Sequence, residues 1–136
     1  MKEWLPASFS VLALWSIWGF LPKITTKYLP PRSVLVYEVL GALLLGVVVL
    51  ATMKFRPAFH IAGSSLAILT GVVGFGGGLA YLYAASKGPI SLVSVVTAMY
   101  PAIVVIAAYF FLGETLTVKQ IIGFCFAIVS IVLLAT

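Results

Sequence analysis

The chain is short of charge, cysteine and histidine, and each shortage excludes a class of protein. Charged residues make up 8% of its 136 residues, whereas 63% are hydrophobic. A soluble domain of this size exposes more surface than so few charges can cover. Cys125 is the only cysteine and lies within an apolar run, so no disulfide can form within the chain. His60 is the only histidine and has no partner at metal-site spacing, so we expect neither a metal nor a cofactor.

The sequence also lacks the residue sets that carry catalysis or nucleic-acid binding. No Ser/His/Asp set, carboxylate pair or Cys/His cluster is recognisable, so we do not expect an enzyme or any catalytic residue. The net charge of +5 comes from basic residues scattered singly through loops. Without a basic stripe or interleaved aromatic residues, nucleic acid is not an expected partner.

Long apolar runs take the place of the missing charges. Four runs contain no Asp, Glu, Lys or Arg, namely residues 4–22, 61–86, 88–113 and 120–136, and residues 33–53 contain one. A helix of about 17–25 apolar residues crosses the hydrocarbon core of a bilayer. The sequence therefore predicts an all-α, multi-pass protein of the cell membrane. We expect one domain over residues 1–136 with five transmembrane helices, at about 5–23, 33–53, 61–86, 90–112 and 118–136.

Short connections between these helices make sequential helices antiparallel neighbours. Pro31 suits the first turn of the second helix, where its missing N–H costs nothing. Thr117 and Gln120 have the spacing of a capping box, which predicts that the fifth helix begins at residue 118.

The basic residues divide evenly between the two sides of the predicted membrane. Four lie on the N-terminal side and four on the other, namely Lys2, Lys54, Arg56 and Lys119 against Lys23, Lys27, Arg32 and Lys87. The Lys/Arg bias of short loops normally sets the orientation of a membrane protein. Two interpretations stay open: one orientation dominates because a lysine lies slightly differently, or the chain inserts both ways up.

Glu38 is the only acidic residue within a predicted span. A charge at the centre of a span costs on the order of a few kcal/mol, so such residues often exchange a proton or a cation. The alternative is that Glu38, about 8 Å along its helix at 1.5 Å per residue, reaches the membrane surface or pairs with Arg32 or Lys27.

Aromatic residues and glycines mark two further segments. Trp15 and Trp18 share a face of the first helix, where they either pack in the interior or form a cavity wall that holds an organic cation. Five glycines crowd the third helix, at positions 71, 74, 76, 77 and 78. They permit either close helix packing or a hinge and a backbone-lined cavity.

Polar and kinking groups lie deep in the third and fourth helices, including Tyr81, Tyr83, Thr97, Tyr100 and Pro101. Pro101 removes an N–H donor and leaves a carbonyl near Thr97 without its helical partner. Helices interrupted in this way often line the substrate sites of transporters.

Taken together, these residues resemble a known domain. The similar segments are Trp18-Gly19 with Lys23, residues 80–85 (AYLYAA), Pro89 with residues 91–93 (SLV), Tyr100-Pro101, residues 111–117 (FLGETLT), and Gln120 with Ile122-Gly123. This pattern, which covers nearly the whole chain, resembles the EamA-type domain of the drug/metabolite transporter superfamily. The resemblance implies a secondary transporter or exporter of small metabolites or drugs. It also implies one half of a ten-helix inverted-repeat transporter fold, of the single-domain five-helix subgroup.

The resemblance further implies a cavity lined by helices 1, 3 and 4 with part of helix 2. We expect its lining to include Trp15, Trp18, Gly19, Glu38, Tyr81, Thr97, Tyr100 and Pro101. Domains of this type often carry Arg early in helix 2, where this chain has Tyr37-Glu38, which favours cationic substrates or proton coupling. The expected partners are a small-molecule substrate, the lipid bilayer and a second copy in a homodimer, antiparallel or not, or a paralogue in a heterodimer. A non-transporting subunit of another transporter is the alternative.

Overall fold

A computed structural model describes residues 4–135, with only the backbone of Ala135. Over this range the chain forms six α-helices and no β-strand. They are α1 (Trp4–Thr25), α2 (Pro31–Thr52), α3 (Ile61–Lys87), α4 (Ile90–Thr97), α5 (Tyr100–Leu112) and α6 (Val118–Ala135). Lys2, one of the eight residues of the charge count, lies outside the described residues.

Four helical stretches of the described chain are long and apolar enough to cross a bilayer. They are α1, α2, α3 and the stretch Ile90–Leu112, which contains α4 and α5. The apolar part of α6, Val118–Leu134, is shorter. The all-helical membrane class is thus confirmed, with four full-length candidate spans and the shorter apolar helix α6.

The chain divides into two compact units, Met1–Lys87 and Gly88–Thr136. In the first unit α3 packs against both α1 and α2. Lys23 Nζ, in the last turn of α1, donates a hydrogen bond of 3.0 Å to the carbonyl oxygen of Ala85, so α1 and α3 run parallel. Arg32 Nε, at the start of α2, donates to Tyr83 Oη at 3.1 Å, so α2 is antiparallel to both.

The interior of the first unit is small, and its outer surface is apolar. Among residues 4–87, the buried ones are Pro22, Val34, Gly78, Tyr81, Leu82 and Ala85. Most large apolar side chains of α1, α2 and α3 are exposed. Continuous exposed apolar surface of this kind is suited to lipid or to further protein.

The direction of the helices places four cations at one end of the first unit. Lys23, Lys27, Arg32 and Lys87 lie where α1 and α3 end and α2 begins. Lys54 and Arg56 follow the far end of α2, which is about 33 Å away along a helix of 22 residues. The structure thus separates these six basic residues between two ends, as the sequence predicts.

In the second unit, the predicted fourth helix is interrupted. Ala98 and Met99 separate α4 from α5, and the Met99 N–H bonds the Val96 carbonyl in a tighter turn. Pro101 explains the break, because it has no N–H for the carbonyl of Thr97, which is the last residue of α4. A single helix over 90–112 is therefore replaced by two segments.

The ends of the remaining helices show ordinary capping chemistry. At α6 the Thr117 N–H donates to Gln120 Oε1 at 2.8 Å and the Gln120 N–H donates to Thr117 Oγ1 at 3.4 Å, which confirms the capping box. Gly113 ends α5 with φ +66°. The α3 N-terminus is capped by His60, whose Nδ1 accepts the Gly63 N–H at 3.2 Å.

Candidate functional site

The first unit contains a groove between α1 and α2 with a volume of about 300 Å³. Its walls are formed by one face of each helix and by the loop between them. They comprise Trp18, Leu21 and Thr25 from α1, Leu29 from the loop, and Val34, Tyr37 and Glu38 from α2. Two residues expected at a substrate cavity, Trp18 and Glu38, therefore line the same groove.

Helical periodicity accounts for the two walls. Trp18, Leu21 and Thr25 are spaced three and four residues apart, and so are Val34, Tyr37 and Glu38 when counted from Val34. Residues at these spacings share one face of a helix. The same rule, applied to Trp18 and Glu38, could have identified their neighbours from the sequence.

Glu38 is half-buried in the groove wall, in the second turn of α2. Within residues 4–135 the structure records no ion pair for its carboxylate. Arg32, proposed as a partner, lies inside the first turn of α2 and donates to Tyr83 instead. Glu38 thus contributes the one carboxyl group among the described residues that line the groove.

Trp18 packs against Tyr81 of α3. Its ring stacks on Tyr81 with centroids 5.5 Å apart and planes inclined by 27°. Tyr81 Oη donates to the carbonyl oxygen of Gly19 at 2.9 Å. Trp18 remains 44% exposed, whereas Tyr81 is 9% exposed and does not line the groove. Tyr81 and Gly19 therefore support the wall rather than form its surface.

The other expected cavity residues lie elsewhere. Trp15 is 58% exposed and is not part of this groove. Thr97, Tyr100 and Pro101 belong to the second unit and surround the break between α4 and α5. The Thr97 hydroxyl bonds the carbonyls of Val93 and Ser94 within its own helix, at 2.9 and 3.1 Å.

The second unit has a groove of its own, of about 390 Å³, between α5, α6 and their connection. It is lined by Val105, Ile106, Tyr109, Phe110, Thr115, Leu116, Ile121 and Phe124. None of the three expected residues of this unit is among them. Its lining carries no ionisable group apart from the tyrosine phenol, so the α1–α2 groove offers the richer chemistry.

The α1–α2 groove is suited to a cation with an apolar body. Its lining includes one carboxylate and the rings of Trp18 and Tyr37, and no Lys, Arg or His among the described residues. Indole faces attract organic cations through their negative potential, by about 0.5–2 kcal/mol depending on exposure. The Thr25 hydroxyl bonds the Pro22 carbonyl at 3.3 Å and adds a small polar element.

The glycines of α3 have open space around them within this chain. A Cβ placed on Gly71, Gly74, Gly76, Gly77 or Gly78 would meet no atom within 4 Å outside its own helical backbone. Gly78 is nevertheless buried, whereas the other four are exposed, so no described helix packs closely onto positions 71, 74, 76 and 77. A bending role or a contact with a second protein chain remains available to them.

Comparisons with known proteins found one matching family model and one similar curated protein. The model of the EamA-like transporter family matches residues 3–136. An uncharacterized protein of the archaeon Methanocaldococcus jannaschii is 31% identical over 127 residues, which cover 92% of this chain and 90% of that protein. No solved structure matches the chain.

Proposed function

Because the chain belongs to the EamA-like transporter family, we propose that it is a secondary transporter that exports small metabolites or drugs. Transport in this proposal proceeds by alternating access within a dimer. Family membership supports small-molecule transport, and the four full-length apolar helices support a membrane location. The observation that carries the substrate class is the placement of Glu38 and Trp18 in one groove.

The groove favours monovalent cations over zwitterions. A zwitterion also requires a positive group for its carboxylate, and no basic residue lines the groove in the described chain. A carboxylate beside aromatic faces, by contrast, meets an ammonium group with both charge and ring potential. We expect a small organic amine or quaternary ammonium compound with an apolar body.

Glu38 would couple transport to protons by simple exchange. In one orientation the carboxylate binds the cation; in the other it takes a proton and releases the cation. One proton then moves inward for each monovalent cation moved outward, so the exchange is electrically neutral. Glu38 is suited to this exchange, because no basic side chain of the described residues lines the groove beside it.

A homodimer would supply the second half of the transporter. The family resemblance implies ten helices arranged as an inverted pair, and one chain provides five. With four basic residues predicted on each side, the chain is suited to insert both ways up and to form an antiparallel dimer. A heterodimer with an oppositely oriented paralogue satisfies the same symmetry.

The experiment is transport by the purified chain alone in liposomes with an imposed pH gradient. We expect uptake of benzyltrimethylammonium, little uptake of the zwitterion phenylalanine, and proton movement in the opposite direction reported by an entrapped pH-sensitive dye. Glu38→Gln should abolish the coupled proton movement. Glu114→Gln is the matched control, since Glu114 lies in the connection after α5 and outside the groove.

Two results would overturn parts of this proposal. Unchanged coupled transport in Glu38→Gln would exclude the exchange role of that carboxylate. A folded wild-type chain that transports nothing alone, but does so with a second membrane protein, would instead identify a non-transporting subunit.

A further inference from the structure

We propose that Tyr81 is a positioning residue that fixes the Trp18 indole in the groove wall and thereby sets the affinity for the cation. Tyr81 does not touch the groove itself, so its effect is exerted through Trp18. The effect on affinity rests on the proposed function, whereas the effect on the indole does not.

Trp18 is only partly covered by other residues of the chain. It is 44% exposed and lines the groove. The ring of Tyr81 stacks on its indole at a centroid distance of 5.5 Å. Attraction of a cation depends on its lying over the ring face, so a change of ring orientation weakens it.

Tyr81 is fixed by burial and by a hydrogen bond. This residue is 9% exposed and is followed by Leu82, which is 1% exposed, in the most buried segment of α3. Its hydroxyl donates to the Gly19 carbonyl at 2.9 Å, so both ends of the side chain are fixed. The acceptor is the residue directly after Trp18, which ties the backbone that carries the indole to the ring that stacks on it.

A third contact fixes the two helices along their axes. One turn beyond Gly19, Lys23 Nζ donates to the Ala85 carbonyl at 3.0 Å, and Ala85 lies one turn beyond Tyr81. Two hydrogen bonds from successive turns therefore set the register of α1 against α3. The stack of Trp18 on Tyr81 is a consequence of this register and is not an isolated contact.

The test uses a protein in which Trp18 is the only tryptophan. The chain has three tryptophans, so Trp4→Phe and Trp15→Phe give this background. Trp18 fluorescence anisotropy reports the freedom of the indole, and quenching by benzyltrimethylammonium chloride, compared with an equal concentration of sodium chloride, reports binding. Transport of the same cation gives KM and the maximal rate.

Two substitutions separate the ring from the hydroxyl. Tyr81→Leu removes both, and we expect lower Trp18 anisotropy and a five- to tenfold higher KM with a nearly unchanged maximal rate. Tyr81→Phe keeps the stacking ring, and we expect a smaller change of the same kind. Tyr83→Leu is the matched control on the same helix, since Tyr83 is exposed and bonds Arg32 instead.

The outcomes distinguish the positioning role of Tyr81 from the proposed transport of cations. Unchanged anisotropy in a folded Tyr81→Leu protein would overturn the positioning role, whatever the transport result. Lower anisotropy with unchanged KM would show that Tyr81 orients the indole but does not set affinity, which also overturns the proposal. Failure of the wild type to bind the cation would instead refute the proposed substrate class, while the anisotropy still decides the role of Tyr81. Tyr81→Phe covers the case in which Tyr81→Leu does not fold.

Discussion

Lys23 and Ala85 join the ends of two parallel helices, because the Lys23 ammonium donates a 3.0 Å hydrogen bond to a carbonyl in the last turn of α3. The last four carbonyls of a helix have no partner within it, and the negative end of the helix dipole favours a cation there. One side chain thus satisfies an unpaired acceptor of α3 and fixes the position of α1. This contact makes Lys23 a structural cation, a role that its position at the end of the first predicted helix does not reveal.

Lys23→Met should lower the free energy of unfolding by about 1–2 kcal/mol, because it removes a charged hydrogen bond and leaves the Ala85 carbonyl without this donor. Unfolding by denaturant in detergent, followed by circular dichroism, measures the change. Lys27→Met is the matched control, since Lys27 is exposed beyond the end of α1. Equal losses in both variants would contradict the role assigned to Lys23.

Gly76→Ala and Gly77→Ala should each raise the stability of the isolated chain by up to about 1 kcal/mol, because glycine is a poor helix former and no atom opposes an added Cβ. If α3 bends during transport, the same variants should also turn over more slowly. Unfolding in detergent and transport in liposomes are measured on the same preparations. A loss of stability would point instead to a packing partner outside this chain.

Lys54→Gly should raise the free energy of unfolding by about 1 kcal/mol, because Lys54 follows α2 with φ 52°, in the left-handed region that favours glycine. The next residue, Phe55, has φ 57° and donates its N–H to the Leu50 carbonyl at 2.9 Å, so the chain reversal depends on this geometry. Lys54→Ala is the control for loss of the charge. If the free energy of unfolding rises equally in both variants, relief of backbone strain is not the cause of the increase.

Thr117→Ala should lower the free energy of unfolding by about 1 kcal/mol, because it removes the acceptor for the Gln120 N–H at the start of α6. Thr117→Ser should retain most of the stability, since its hydroxyl can make the same bond. Hydrogen exchange at the first turn of α6 gives the local measurement. Exchange that is the same in all three proteins would exclude a stabilising cap.

The sequence was most informative where local chemistry decides the structure. Residue 118 as the start of α6 followed from Thr117 and Gln120, whereas Pro101 was recognised as a kinking group within one helix over 90–112 that the structure divides in two. The groove was harder to predict from the sequence, because it depends on which faces of α1 and α2 approach each other. Periodicity from Trp18 and Glu38 contains that information only after the two residues are assigned to one site.

Tyr81 shows the limit of reasoning from residue type. A tyrosine deep in an apolar helix is a fair candidate for a cavity wall, and its neighbourhood carries the family resemblance. Whether its hydroxyl faces a substrate or a backbone carbonyl depends on the register of α1 against α3. That register is set by Lys23 and Ala85, which are 62 positions apart in the chain.

The balance of basic residues leads to a prediction about orientation. The structure separates Lys23, Lys27, Arg32 and Lys87 from Lys54 and Arg56 at opposite ends of the first unit. Because four basic residues are predicted on each side of the membrane, we expect the chain to insert in both orientations. A C-terminal phosphatase fusion and a C-terminal fluorescent-protein fusion should then both be active in cells, since each reports one side of the membrane. Exclusive activity of one fusion in the wild type would exclude dual insertion.

Removing one exposed cation should tip that balance. Lys27→Gln leaves three basic residues against four across the predicted membrane, so the end that carries Lys27 should move away from the cytoplasm. We expect a several-fold change in the ratio of the two reporter activities, and Lys54→Gln should change it in the opposite direction. If only oppositely inserted chains pair, transport per chain should fall in both variants and recover when the two are produced together. Recovery by co-production would distinguish an antiparallel dimer from a simple loss of folding, which a second defective chain does not repair.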